Sequence, residues 1–125
     1  KIKIRVTDLK HPLTSEIEDF EVEDEEPYYC EPTGEQLVLL EASYNAPSVG
    51  YVRSDYGTDR ESHPQMYIHD WGAGSVLYLS LGHCTGKHDM KPLADIVPVV
   101  RGSWNSPISY ELLRRGINWG IGALR

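Results

Sequence analysis

Between Lys10 and Arg53 this 125-residue chain has no Lys or Arg at all. Over the same stretch Glu16, Glu18, Asp19, Glu21, Glu23, Asp24, Glu25 and Glu26 crowd together, and the formal net charge of the whole chain is -7. A nucleic-acid backbone is held by clustered Lys and Arg, and an anionic membrane surface attracts the same side chains. The sequence therefore argues against both as partners. The crowded carboxylates read first as a solvated, self-repelling edge. The sharper reading is that one or two of them point into a site.

Cysteine is scarce: only Cys30 and Cys84. With no CxxC pair, a structural zinc site of the ribbon or finger kind has no ligands. One disulfide can form, but two reduced cytosolic thiols are the simpler reading, and a cytoplasmic location is the expectation. No apolar run approaches the roughly 20 residues a membrane span needs, and no signal peptide is visible. The chain begins at Lys1, directly in a strand-like run, which reads as a start other than the natural gene start or as a processed terminus. HExxH, GxSxG and a glycine-rich phosphate loop are all missing, so no nucleotide cofactor is expected.

What is present is a composition ordinary for a globular protein, 40% hydrophobic and 25% charged. Ile2, Ile4 and Val6 alternate with polar residues as in a half-buried strand. His11-Pro12 turns the chain. Residues 20–25 alternate again, with Phe20, Val22 and Asp24 on one face. Residues 36–42 (QLVLLEA) form a nearly continuous apolar strand, covered on both faces. Residues 43–64 are polar and rich in Gly, Pro, Asp and Ser, the best loop candidate. Residues 66–70 form a short strand, Gly72-Ala73-Gly74 a tight turn, and residues 75–81 (SVLYLSL) the strongest strand, placed centrally. Ser106-Pro107 opens a helix as N-cap and first helical residue. Tyr110, Leu113, Ile117 and Ile121 recur along it at helical spacing, with Ile108, Leu112 and Trp119 widening the stripe. Gly116 lowers helix propensity by about 1 kcal/mol and reads as a point of close packing on the sheet. One helix cannot cover both sheet faces, so further chain, a partner subunit or the long loops should cover the rest.

His83 stands out among five histidines. It follows an apolar strand through Gly82, at the carboxyl end of that strand, where ligands of open α/β sheets bind. A histidine there can serve as general acid or base near neutral pH, ligate a metal, or simply anchor the loop by hydrogen bonds. His88-Asp89 can share that site or belong to a plain polar loop. His63 reads as solvated, His69 as structural beside Trp71, and His11 as a turn residue. Cys84 beside His83 invites a nucleophile reading, which the differing directions of adjacent side chains disfavour.

In order along the chain come His11-Pro12-Leu13-Thr14, Asp19-Phe20, Asp24-Glu25 with Tyr28-Tyr29, Trp71-Gly72-Ala73-Gly74, Tyr78-Leu79-Ser80-Leu81-Gly82-His83, Ser103-Trp104 with Pro107, and Leu113-Arg114-Arg115-Gly116-Ile117-Asn118-Trp119. This order resembles the ThuA-like (trehalose-utilisation) family. The resemblance implies an α/β, flavodoxin-like (class I glutamine amidotransferase-like) layered sheet. Residues 1–125 would form a single ThuA-like domain corresponding to the carboxyl-terminal half, a partial domain of several strands with one C-terminal helix. The strand-Gly82-His83 turn resembles the place where amidotransferases carry their catalytic histidine. The glutamate two residues beyond has no match, because Thr85 stands there, so amidotransferase activity is not expected.

The resemblance implies a role in trehalose or related disaccharide or keto-sugar utilisation. It carries over His83 and Glu25 as catalytic acid/base residues, and His11, Glu25 and His83 as a set able to hold a divalent metal such as zinc. Tyr28, Trp104 and His88 would contact a small-molecule sugar. The rival expectations are a non-catalytic carbohydrate-binding or assembly module, and a half-domain inactive without an N-terminal part. The partner expectation is a homo-oligomer or docking on that missing half.

Overall fold

A computed structural model describes residues 1–26, 28, 33–43, 62–84 and 99–124. Five strands form one sheet: β1 (Ile2–Val6), β2 (Phe20–Val22), β3 (Leu37–Ser43), β4 (His63–Trp71) and β5 (Gly74–Leu79). A short 3-10 turn (Gly102–Asn105) leads into the helix α1 (Pro107–Gly120). The strand order is β2-β1-β3-β4-β5. Among the described residues no helix is long and apolar enough to cross a membrane.

Alternation builds β1: Ile2, Ile4 and Val6 are buried while Lys3 and Arg5 face out. In β3 both Leu39 and Leu40 are fully buried, together with Ala42; the pairing with β4 is irregular at this point, Leu39 having no partner between Val38 and Leu40, which breaks the alternation of faces. The core gathers on one side of β1 and β3, where Leu13 and Ile17 of the turn after β1, Val22, Met66 and Leu112 of α1 close it.

Several sequence expectations change here. Among the described residues all four strand pairings are antiparallel, whereas a flavodoxin-like sheet is parallel. Parallel neighbours need a crossover of a dozen or more residues, usually a helix. In the described residues β4 turns straight into β5 through Gly72-Ala73, with Gly72 at φ +60°. The strand at residues 74–79 is not central: it is the edge of the described sheet, and its first three residues are exposed. Strong apolar character did not distinguish a central strand from an edge strand resting on a helix. His63 is not solvated; it is buried at the start of β4. Asp24 does not extend β2, which stops at Val22; its backbone turns to φ +52°.

The helix begins where its Ser-Pro signal placed it, but it buries a different stripe. Leu112 is fully buried, and Ile108 and Trp119 pack against the core. Tyr110, Leu113, Ile117 and Ile121 are exposed, Ile117 by 58%. Gly116 sits against β5 so closely that a Cβ there would lie 3.1 Å from Leu77 Cδ2. That contact selects the side of the helix that faces the sheet.

Charged side chains then brace α1 against the turn after β1. Arg115 donates from Nη1 to the Ser15 carbonyl at 2.7 Å and from Nε to Glu111 at 2.7 Å. Arg114 donates to the same carboxylate from Nε and Nη2 at 2.8 and 2.7 Å. Hydrogen bonds from Arg114, then those from Arg115, hold the Glu111 carboxyl down at about 2, against an ordinary 4.5. Because the folded-state value is depressed, this contribution to stability is fully present above about pH 4.5 and is lost as pH falls towards about 2. We expect the stability difference between the parent chain and Glu111→Gln to be constant above that window and to close within it. Urea unfolding at a series of pH values measures this; a gap unchanged at the acid end would mean that the carboxylate charge is not what matters.

Candidate active site

The turn after β5 is prepared by a buried polar pair. Once the strand ends at Leu79, Ser80 N donates to the Gln65 carbonyl at 2.8 Å, and Ser80 Oγ donates to Gln65 Oε1 at 2.7 Å. Gln65 Nε2 in turn donates to the Pro64 carbonyl at 3.1 Å. Both side chains are buried, so the hydrogen bonds offset a desolvation that would otherwise be costly. Leu81 drops into the core. Gly82 takes φ +135°, a backbone region that favours glycine, and the chain emerges at His83.

Glu25 holds that turn in place. Its Oε1 accepts from His83 N at 2.9 Å and Gly82 N at 3.3 Å, and its Oε2 accepts from Ser103 N at 2.7 Å. One carboxylate thereby ties together the chain after β2, the turn after β5 and the 3-10 turn before α1. Gly102 makes room for it. With φ +48°, a Cβ there would meet Glu25 Oε2 at 2.8 Å, His83 O at 3.0 Å and Asp24 O at 3.1 Å. Trp104 closes the same knot: Nε1 donates to the Gly82 carbonyl at 2.7 Å, and the indole lies against Gly82, 3.6 Å from where a Cβ would be. Its other neighbour is Tyr110, edge-on at 5.8 Å.

His83 projects from this knot with 24% of its side chain exposed. Nδ1 lies 3.0 Å from the Tyr28 hydroxyl, and the two rings sit 5.9 Å apart. Nε2 lies 2.9 Å from Glu26 Oε2. That contact is short but off the hydrogen-bond axis, and among the described residues Nε2, itself shielded from solvent, has no aligned hydrogen-bond partner. Imidazole, phenol and carboxylate thus share one partly open surface, with Tyr28 and Glu26 both exposed.

Of the residues singled out from sequence, the structure brings together Glu25, Tyr28, His83 and Trp104. His88 and Asp89 lie outside the described residues. His11 is elsewhere engaged: its Nδ1 accepts from Leu13 N at 3.2 Å, and its amide donates to Asp8 Oδ1 at 3.2 Å. It is a turn residue. The His11, Glu25, His83 metal set does not assemble: among the described residues no group of three or more His, Cys, Asp or Glu could hold a metal ion. Glu25, with both carboxylate oxygens accepting backbone N–H groups, has the chemistry of a clasp rather than a ligand.

Glu26 went unremarked in the sequence because it was one of eight crowded carboxylates. The only signal was the expectation that one or two of them enter a site, and Glu25 and Glu26 are the two found at His83. Gly102 and the Ser103 amide left no sequence signal.

The ThuA family model, described as trehalose utilisation, matches residues 1–97. That span includes Glu25, Glu26, Tyr28, Gly82 and His83, and ends before Gly102 and Trp104. No curated protein and no solved structure matches the chain.

The clasp makes two substitutions informative. Gly102→Ala forces a side chain into left-handed backbone and into the Glu25 carboxylate, with an expected cost of about 1–3 kcal/mol. Glu25→Ala removes the acceptor for three amides and is expected to cost about 1–3 kcal/mol. Chemical denaturation reads both. Because the two act on one contact, the double variant should lose clearly less than the sum; strict additivity would show that they do not act through it.

Proposed function

We propose, from the premise that this chain belongs to the ThuA (trehalose utilisation) family, that it acts on a disaccharide or keto-sugar by proton transfer through His83. The observation that supports this reading is the placement of the His83 ring, with one nitrogen at the Tyr28 hydroxyl and the other at the Glu26 carboxylate. Acid–base catalysis needs a group that can both take and give a proton near neutral pH, held within reach of the substrate. An imidazole flanked by a phenol and a carboxylate meets the first need. The second need rests on the ring as a whole, which is 24% exposed and holds Nε2 2.9 Å from the exposed Glu26 carboxylate, so that a substrate hydroxyl or an acidic C–H beside a carbonyl would reach the nitrogen by displacing Glu26.

The roles divide as follows. His83 exchanges the proton at Nε2. Glu26 faces Nε2 at 2.9 Å and is the side chain a substrate would displace to reach that nitrogen. Tyr28 orients the ring through Nδ1 and offers its exposed face to a sugar ring. Glu25 is a positioning residue: it holds the backbone from which His83 projects and takes no part in proton transfer. Trp104 keeps the Gly82 carbonyl turned away from the site, with its indole edge left as a wall. Because the described residues do not fit a metal, no step in this mechanism uses one.

Deuterium incorporation separates the chemistry from binding. Incubated in D2O with a keto-disaccharide and followed by proton NMR, the parent chain is expected to exchange the hydrogen on the carbon beside the carbonyl. His83→Ala should slow that exchange by about 100-fold or more, with sugar affinity largely kept. Glu26→Gln and Tyr28→Phe should slow it less, because each leaves the imidazole in place. If His83→Ala abolishes sugar binding and the parent chain shows no exchange, the site is a binding site without catalysis.

A further inference from the structure

The two edges of the described sheet are built differently. β2 has three residues, and Asp19, Glu21 and Glu23 set exposed carboxylates along it. Short length and charge are what keep a strand edge from pairing with other chains. β5, the opposite edge, has neither protection. It runs for six residues, GSVLYL, with no charge and no proline, and it keeps a regular register with β4 throughout. Gly74, Ser75 and Val76 are exposed.

The backbone of β5 is set to take another strand. Ser80 N donates to the Gln65 carbonyl at 2.8 Å, and in an antiparallel pair the residues that bond across the ladder alternate. Counting back from Ser80, Val76 and Gly74 bond to β4, while Ser75, Leu77 and Leu79 turn their N–H and C=O groups away from it. Among the described residues no strand takes these groups up. The side chains of Ser75, Leu77 and Leu79 form one wall of an open cleft beside α1, with Leu113 and Ile117 on the other. Past the cleft the helix continues the apolar surface: Tyr110, Leu113, Ile117 and Ile121 are all exposed, Ile121 by 73%.

We propose that the β5 edge and the apolar stripe of α1 form an interface between two copies of this chain. β5 would pair antiparallel with β5 of a second copy, about a two-fold axis near Leu77, and the two α1 helices would meet over the extended sheet. A two-fold interface needs a patch that complements itself. A strand edge does so through its backbone, since two antiparallel strands exchange N–H and C=O groups reciprocally. The helix stripe decides in favour of a second copy. A lone peptide strand can occupy such an edge, but it leaves Ile117 and Ile121 in water. A second copy brings its own α1 alongside and covers both stripes at once. One strand and one helix, each about 20 Å long, put the interface near the small end of stable ones, about 1,200 Å² in total. The dimer should therefore dissociate on dilution.

The test is sedimentation velocity of the full chain over a concentration series, with amide hydrogen exchange at both ends of the series. The expected result is a reversible monomer–dimer equilibrium in which the Ser75, Leu77 and Leu79 amides gain protection as concentration rises. Ile117→Glu, at an exposed position, should weaken the dimer about 100-fold, because the two-fold axis places a carboxylate from each copy in the interface. Ser75→Lys charges the edge as the carboxylates charge β2 and should weaken it at least about tenfold. Both variants should keep the circular dichroism of the parent; if Ile117→Glu does not fold, Ser75→Lys and the exchange pattern decide. His83→Ala should dimerise like the parent, so the catalytic reading and this one fail separately. A chain that stays monomeric up to about 1 mM, a dimer that both variants leave intact, dimerisation without protection of the Ser75, Leu77 and Leu79 amides, or assembly that continues beyond dimers would each overturn the proposal.

Discussion

A single carboxylate that accepts three backbone amides holds together the turn after β5, the chain after β2 and the 3-10 turn before α1. Glu25 takes hydrogen bonds from Gly82, His83 and Ser103, and so joins three segments that are remote in sequence. Charge-assisted hydrogen bonds of this kind are shorter and stronger than neutral ones. They also satisfy amides that the strand end and the 3-10 turn would otherwise leave without partners. Everything proposed for His83 depends on that contact, because it fixes the backbone from which the imidazole leaves. The two glycines beside it follow from the same constraint. Gly82 lets the chain leave β5 against the Trp104 indole, and Gly102 leaves the space that the carboxylate fills.

A division of labour between neighbouring acidic residues results. Glu25 points inward and is used up by the backbone; Glu26, the next residue, is exposed and meets the imidazole. Adjacent side chains in an irregular segment project in different directions, so one can serve the fold while the other serves the surface. The local density of negative charge is offset from outside the stretch: Lys1 Nζ meets Glu21 at 2.7 Å and Glu23 at 3.6 Å, and backbone amides donate to Asp19 and Glu25.

The sheet shows a comparable asymmetry. Its core side is closed by α1 and by the turn after β1, with Arg115 and Glu111 bracing the two. Gly116 packs against Leu77, where a Cβ would lie 3.1 Å from Cδ2. Leu112 is fully buried and Trp119 packs against the core, while Leu113 and Ile117 line the open cleft between α1 and β5. On the reverse of β4 and β5, Tyr67 stacks on Tyr78 and the His69 ring is oriented by the Glu35 carbonyl.

The sequence by itself determined the local elements. Period-two alternation marked β1, Gly72-Ala73 marked the hairpin, Ser106-Pro107 marked the start of α1, and the residues around Gly82-His83 marked both the family and the turn of the candidate site. These signals are short-range, set by backbone sterics and by which side chains avoid water. Only the tertiary structure decided strand order and direction, the edge position of β5, the burial of His63, and which stripe of α1 faces the sheet. Each of these depends on what lies on the far side of an element, and an apolar residue reads the same whether it meets a helix, a strand or solvent. The site divides in the same way. A histidine after a strand is visible in one dimension. The choice of Glu25 as clasp and Glu26 as partner was made by three amides converging from distant segments, and no spacing rule in the chain encodes that.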